Sequence, residues 1–81
     1  MTRECIKKII DKEGLKGYNF FENRVNAEDE IVIVNASGQW FVYVTDERAS
    51  KRPGSEKRFD NEAEALDNFL TRLRALNFLK N

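Results

Sequence analysis

The first hydrophobic pattern along the chain predicts a helix at its N-terminal end. Four residues share the spacing of one helix face: Cys5, Ile6, Ile9 and Ile10. Polar residues take the remaining positions, so this face is suited to packing against a core. Thr2 is a suitable N-cap, and Gly14 ends the pattern because glycine enters the left-handed region without strain. We therefore expect a helix from Thr2 to about Glu13, with Cys5 filling part of the core.

The middle of the chain predicts strands. Ile31–Asn35 and Gln39–Thr45 are rich in Val, Ile and aromatic residues, and the turn 36–38, which contains a glycine, joins them. Two such runs around a short turn are typical of a β-hairpin. Tyr18–Val25 predicts an earlier strand, followed by a polar turn at 26–29. These segments together predict a three-stranded antiparallel meander.

The last part of the chain predicts a longer helix. Asn61 and Glu64 have the spacing of a capping box, and a helical stripe follows: Leu66, Phe69, Leu70, Leu73 and Leu76. We expect a helix from about Glu62 to Phe78. The element order predicts a single α+β domain over residues 1–81, with a three- to four-stranded antiparallel meander between two helices. The expected core is Ile6, Ile9, Ile10, Ile33, Trp40, Val42, Leu66, Phe69, Leu70 and Leu73.

The predicted hairpin is apolar on both faces. Trp40, Val42 and Val44 project to one side, and Phe41, Tyr43 and Thr45 to the other. A sheet covered on one side should alternate apolar with polar residues. Either the helices, the long loop or a second copy of the chain covers both faces, or one aromatic face is open to a partner.

Composition narrows the function classes. Fourteen basic and fourteen acidic residues cancel, which argues against a dedicated nucleic-acid binder. The chain has no histidine, the usual general base and zinc ligand, and Cys5 therefore lacks an activating partner. We expect no enzyme activity, no cofactor and no bound metal. The lone cysteine, and the lack of an apolar run or a signal-peptide pattern, predict a cytoplasmic protein without membrane association.

Two acidic runs should meet at one end of the meander. Glu28, Asp29 and Glu30 precede the second strand, and Asp46 and Glu47 follow the third. These carboxylates have three alternative interpretations: a solvated rim, a metal site, or an acidic patch for a basic protein. No spacing matches a calcium loop. A patch of this kind would contribute to association rate and specificity.

The segment 48–58 is polar, contains one proline and one glycine, and predicts a mobile loop, with Lys57–Phe59 able to add a short extended segment. Five of its residues could bind phosphate: Arg48, Lys51, Arg52, Lys57 and Arg58. The order helix, three strands, helix also matches the double-stranded-RNA-binding domain. That family has a lysine-rich start to its second helix, whereas Asn61–Glu64 is acidic here and would repel phosphates.

Several segments together resemble a family of small bacterial proteins. They are the run Gln39–Arg48, then Phe59, then Glu64-Ala65-Leu66 and Phe69–Leu73. This pattern of a tryptophan strand, an acidic-Arg turn and a helix with an aromatic-Leu pair resembles the immunity protein 59 family of polymorphic toxin systems. The resemblance implies a protein that binds the toxic domain of a cognate effector and needs no catalytic residue.

The leading hypothesis is a non-catalytic module that neutralises a cognate toxin by direct binding. The expected contact residues are Tyr43, Asp46, Glu47, Arg48, Glu28, Asp29 and Glu30. One alternative is a nucleic-acid-binding accessory domain that uses the basic 48–58 loop. A third is a self-associating regulatory or phage-derived protein, which would form a homodimer through its sheet.

Overall fold

The computed structural model describes residues 1–80. Its elements run in the order α1 (Arg3–Glu13), β1 (Tyr18–Phe20), β2 (Ile31–Ala36), β3 (Gln39–Val44), β4 (Lys57–Phe59) and α2 (Glu62–Lys80). The strands form one sheet in the order β1-β2-β3-β4. The α+β class and the element order are therefore confirmed, including the short fourth strand.

Both helices begin as the sequence predicts. The Thr2 hydroxyl accepts a hydrogen bond from the Cys5 amide over 3.2 Å at the start of α1. Gly14 ends α1 in the left-handed conformation at φ 63°. At the start of α2 the Asn61 side chain accepts from the Glu64 amide over 3.2 Å. Local capping chemistry thus defines three of the four helix boundaries.

The predicted hairpin forms, but its turn has two residues where three, 36–38, were expected, because Ala36 belongs to the end of β2. Ala36 pairs with Gln39, and Ile31 pairs with Val44 at the opposite end. The connecting residues Ser37 and Gly38 both have positive φ, at 53° and 76°, as a two-residue primed turn requires. The start of β2 and the end of β3 consequently lie together.

The first strand differs from the prediction in length and direction. It ends at Phe20 because Phe21 adopts a left-handed φ of 56° and turns the chain away from the strand. It pairs with β2 in parallel, with Tyr18 opposite Ile31, so the sheet is mixed and not a fully antiparallel meander. A parallel pair needs a crossover, which the segment 21–30 supplies without a helix.

The two helices cover one face of the sheet. Ile6 and Ile10 of α1 and the apolar stripe of α2 pack against β1, β2 and β3 in one core cluster. Nearly all of the expected core is buried, but Ile9 and Trp40 are only half-buried. Cys5, predicted to fill the core, is exposed, because α1 turns Ile6 and Ile10 into the core, with Ile9 packed at its edge.

The opposite face of the sheet is covered in part by the crossover segment 21–30. Asn26 accepts a hydrogen bond from Asn19 over 3.0 Å and donates to the Tyr43 hydroxyl over 2.9 Å. Asn19 and Val32 beneath it are buried. Phe41 on the same face is half-buried. Self-association through this face of the sheet stays a prediction.

The segment 48–58, predicted to be a mobile loop, is tied to the body by hydrogen bonds. The Arg52 amide donates to the Val44 carbonyl over 2.8 Å, and the Asp46 amide donates to the Ser50 carbonyl over 2.8 Å. The half-buried Arg72 of α2 donates to the Ser55 carbonyl over 2.8 Å. The polar side chains of this segment do not predict these hydrogen bonds, because most of them join backbone atoms.

Candidate functional site

The two acidic runs meet at one end of the sheet. Beyond the last β2–β3 pair, the Thr45 amide donates to the Glu30 carbonyl over 2.9 Å. The Asp29 amide then donates to the Asp46 carbonyl over 3.0 Å. We call the five residues gathered here the acidic end: Glu28, Asp29, Glu30, Asp46 and Glu47. Backbone pairing brings the two acidic runs together at this end of the sheet.

Asp46 organises the turn that presents Glu47 and Arg48. One of its carboxylate oxygens accepts from the Arg48 amide over 2.8 Å and from the Ser50 amide over 3.0 Å. These two backbone hydrogen bonds lower the pKa of the Asp46 carboxyl below its ordinary value. Glu47 and Arg48 at the tip of the turn are exposed. Asp46 therefore shapes the turn, while its two neighbours face solvent.

Glu30 lies beneath the surface, with an exposure of 3%. Its two carboxylate oxygens accept from the two terminal nitrogens of Arg24, each over 3.1 Å. One of these oxygens also accepts from the Ala27 amide over 2.7 Å. Glu30 thus supports the acidic end from inside and does not offer a free carboxylate to a partner.

Glu28 and Asp29 occupy the outer side of the acidic end. Glu28 is exposed, whereas Asp29 is half-buried and adopts a left-handed φ of 49°. An Arg52 guanidinium nitrogen lies 3.7 Å from an Asp29 carboxylate oxygen, and both side chains are largely open to water. Such exposed pairs contribute little to stability. The surface therefore combines acidic groups with the guanidinium groups of Arg48 and Arg52.

Tyr43 lies on the sheet face that carries the crossover. Its hydroxyl accepts from Asn26, and the Lys51 ammonium lies 4.7 Å from the centre of its ring. The ring is half-buried between these two groups. Tyr43 therefore joins the crossover to the segment 48–58, and only part of its surface remains for a partner.

The five cations predicted to form a phosphate-binding loop have different surroundings. Lys51 pairs with Glu56, and Arg52 with Asp29. Lys57 and Arg58 are consecutive in β4, so they project to opposite faces of the sheet. Arg48 lies in the turn beside Glu47. Phosphate binding by these residues stays a prediction.

Sequence reasoning missed two residues of this region. Arg24 and Val25 lie in the crossover, which the sequence pattern assigns to the end of a strand. Val25 is 90% exposed, and Arg24 beside it makes the bidentate contact with Glu30. The exposed position of Val25 and the partner of Arg24 follow from the left-handed turn at Phe21, for which the sequence carries no glycine or proline marker.

Residues 1–80, the part of the chain that the structure describes, lack two other kinds of feature. In that part of the chain, no group of three or more His, Cys, Asp or Glu side chains has an arrangement that could hold a metal ion. None of its helices combines the length and apolar character needed to cross a membrane.

Comparison with known proteins identifies the family. No curated protein and no solved structure matches this chain. The family model described as immunity protein 59 matches residues 1–80. This match covers nearly the whole chain and confirms the resemblance noted from the tryptophan strand, the acidic-Arg turn and the second helix. The chain belongs to the immunity protein 59 family, and its role is in toxin immunity.

Proposed function

We propose that this protein neutralises a cognate bacterial toxin by direct, stoichiometric binding, without transforming any substrate. The contact surface is the acidic end together with Val25, Tyr43 and Arg48. Family membership supports the toxin as partner. Immunity proteins are in general not catalytic, which supports blockade by binding. Glu30 belongs to this surface as an internal support, since its carboxylate is taken by Arg24.

The observation that carries the proposal is the pairing of the Asp29 amide with the Asp46 carbonyl. It joins two separate acidic runs into one surface before any partner arrives. A preorganised surface loses less conformational entropy on binding, so more of the contact energy is available as affinity. A blocking protein needs this property and needs no reactive group.

The size of the molecule fits such a role. A standard protein interface takes about 800 Å² from each partner. The described chain exposes 5379 Å², so an interface of that size would cover about one seventh of it.

The charges of the surface indicate the partner's chemistry. Glu28 and Glu47 are exposed and form no ion pair within the described chain. Their carboxylates are suited to lysine or arginine side chains of a toxin. Where the toxin is a nuclease with a basic substrate groove, these carboxylates would take the positions of substrate phosphates. Complementary charge of this kind chiefly accelerates association.

The experiment is a charge reversal at the two free carboxylates. The double variant Glu28→Lys with Glu47→Lys leaves the buried Glu30 and the turn-forming Asp46 intact. The probe is the toxin domain encoded by the gene that neighbours this chain's own gene. We expect the affinity to fall more than tenfold, mainly through a slower association rate measured by surface plasmon resonance.

A matched control carries the same change in net charge elsewhere. Asp11→Lys with Asp67→Lys alters two exposed helix residues that form no ion pair among the described residues. This control should bind the toxin domain within about twofold of the parent. Equal losses in both double variants would show a net-charge effect, and unchanged binding in the first would remove the acidic end from the interface.

A further inference from the structure

Arg24 connects more of the crossover than any other side chain there. Its guanidinium donates to both carboxylate oxygens of Glu30 over 3.1 Å and to Glu22 over 3.1 Å. It also donates to the Tyr18 carbonyl over 3.0 Å and to the Val25 carbonyl over 3.1 Å. One side chain thus holds the edge strand β1, the tip of the crossover and the residue that precedes β2.

The contact with Glu30 is the decisive one because this carboxylate is buried. The exposed fraction of its side chain is 4%, against 41% for Asp29 in the neighbouring pair with Arg52. A buried charge without a partner is strongly unfavourable, whereas an exposed pair can separate at little cost. Loss of Arg24 would therefore drive Glu30 toward water, while loss of Arg52 would leave Asp29 solvated in place.

Movement of Glu30 would disturb the acidic end directly. The Glu30 carboxylate accepts from the Ala27 amide, and its backbone amide donates to the buried Thr45 hydroxyl over 2.8 Å. Asp29, which pairs with Asp46, is the preceding residue. The position of Glu28 and Asp29 relative to Glu47 thus depends on a salt bridge that a bound toxin would not need to touch.

We propose that Arg24 is a positioning residue of the toxin-contact surface: through Glu30 it fixes the crossover so that Glu28 and Asp29 lie beside the Asp46 turn. This inference rests on the proposed function for its link to binding. The part of the inference that concerns structure, namely that Arg24 keeps the crossover ordered, does not depend on any partner.

The first experiment measures order without the toxin. Amide hydrogen exchange is followed in the parent chain, in Arg24→Gln and in the control Arg74→Gln, which removes an exposed bidentate pair with Glu13 on the helices. We expect the Ala27 and Asp29 amides to exchange at least tenfold faster in Arg24→Gln only. Core amides such as that of Ile33 should keep their rate in Arg74→Gln, and in Arg24→Gln they should accelerate less than the Ala27 and Asp29 amides do.

The second experiment uses the same variants with the toxin domain from the neighbouring gene. Arg24→Gln should lose at least tenfold in affinity, whereas Arg74→Gln should bind like the parent chain. The double variant Arg24→Gln with Glu30→Gln removes both charges, and it should recover fold stability but not the lost affinity. It also provides a folded sample if the single variant does not fold.

The outcomes separate the two proposals. Unchanged exchange at Ala27 and Asp29 in both the single and the double variant would overturn the positioning role, whatever the affinity. Faster exchange with unchanged affinity would overturn its link to binding. In either case the charge reversal of Glu28 and Glu47 tests the contact surface separately. Failure of the positioning role therefore does not decide the proposed function.

Discussion

The backbone amide of Asp29 donates a hydrogen bond to the carbonyl oxygen of Asp46 over 3.0 Å. This contact continues the β2–β3 pairing past Ile31 and Val44, where the regular strands end. It places two acidic runs side by side although fifteen other residues separate them in the chain. The proposed surface is therefore an extension of the β2–β3 pairing.

The buried hydroxyl of Thr45 supports this extension. It accepts from the Glu30 amide and donates to the Ala27 carbonyl, both over 2.8 Å. Thr45→Val keeps the shape of the side chain but leaves both backbone groups without a partner. We expect a loss of about 2 kcal/mol in unfolding free energy, measured by urea denaturation.

Thr71→Val is the control for that substitution. The Thr71 hydroxyl also donates to a backbone carbonyl, that of Asp67, but the residue is exposed on α2. Its replacement should change the unfolding free energy by less than about 0.5 kcal/mol. Equal effects of the two substitutions would contradict a structural role for the Thr45 hydroxyl.

Two aromatic residues on the helix-covered side of the sheet, Phe69 and Trp40, should differ in their contribution to stability. Phe69 is fully buried and its ring centre lies 5.5 Å from that of Phe20. Trp40 is half-buried, with its indole N–H donating to Glu62 over 3.1 Å. Phe69→Ala should lower the unfolding free energy by about 3–5 kcal/mol, and Trp40→Ala should lower it by clearly less. Thermal and denaturant unfolding measure both, and the reverse order would refute this description of the core.

Ala49 adopts a left-handed φ of 63° in the Asp46 turn. A residue with a Cβ is strained there, and glycine is not. Ala49→Gly should raise the unfolding free energy by about 0.5 kcal/mol, after the entropy cost of glycine in the unfolded chain. Ala75→Gly, on the exposed side of α2, should instead lower it by about 1 kcal/mol. Changes of the same sign in the unfolding free energy of the two variants would contradict the left-handed conformation of Ala49.

The Asp46 carboxylate should make stability depend on pH. Its pKa in the folded protein lies below the ordinary value of 3.8, because the Arg48 and Ser50 amides donate to the charged form. A lowered pKa means that this stabilisation is complete above the ordinary pKa and disappears as the pH falls through the folded value. The midpoint of thermal unfolding should therefore fall between about pH 5 and pH 2.

The substitution Asp46→Asn isolates that contribution. An asparagine oxygen still accepts from backbone amides but carries no charge to titrate. We expect the variant to be less stable than the parent near neutral pH and to lose less stability on acidification. Identical pH profiles would show that Asp46 does not contribute to the acid sensitivity. Glu13 and Glu22, whose pKa values their arginine partners also lower, account for part of the remaining dependence.

The sequence predicts those parts of the fold that local chemistry determines. Thr2, Gly14 and Asn61 cap helices through contacts with residues nearby in the chain. Gly38 favours the turn that sets the hairpin register. The two acidic runs meet because the hairpin places the start of β2 beside the end of β3. This part of the prediction does not depend on the direction of β1, which the sequence pattern predicted wrongly.

The parts that the sequence does not predict depend on contacts between distant residues. The parallel pairing of β1 depends on a crossover held by Asn26 between Asn19 and Tyr43. The burial of Glu30 depends on Arg24, and Glu30 carries no local feature that distinguishes it from the exposed Glu28. A linear pattern of charges therefore predicted five equivalent carboxylates, whereas the structure gives them different environments.

The central claim is blockade by contact, and a titration of toxin activity tests it most directly. A fixed amount of the toxin domain from the neighbouring gene is mixed with increasing amounts of the purified chain. We expect inhibition to rise linearly and to become complete at one chain per toxin, independent of incubation time. Complete inhibition at a small fraction of that ratio, increasing with time, would show turnover and contradict the account.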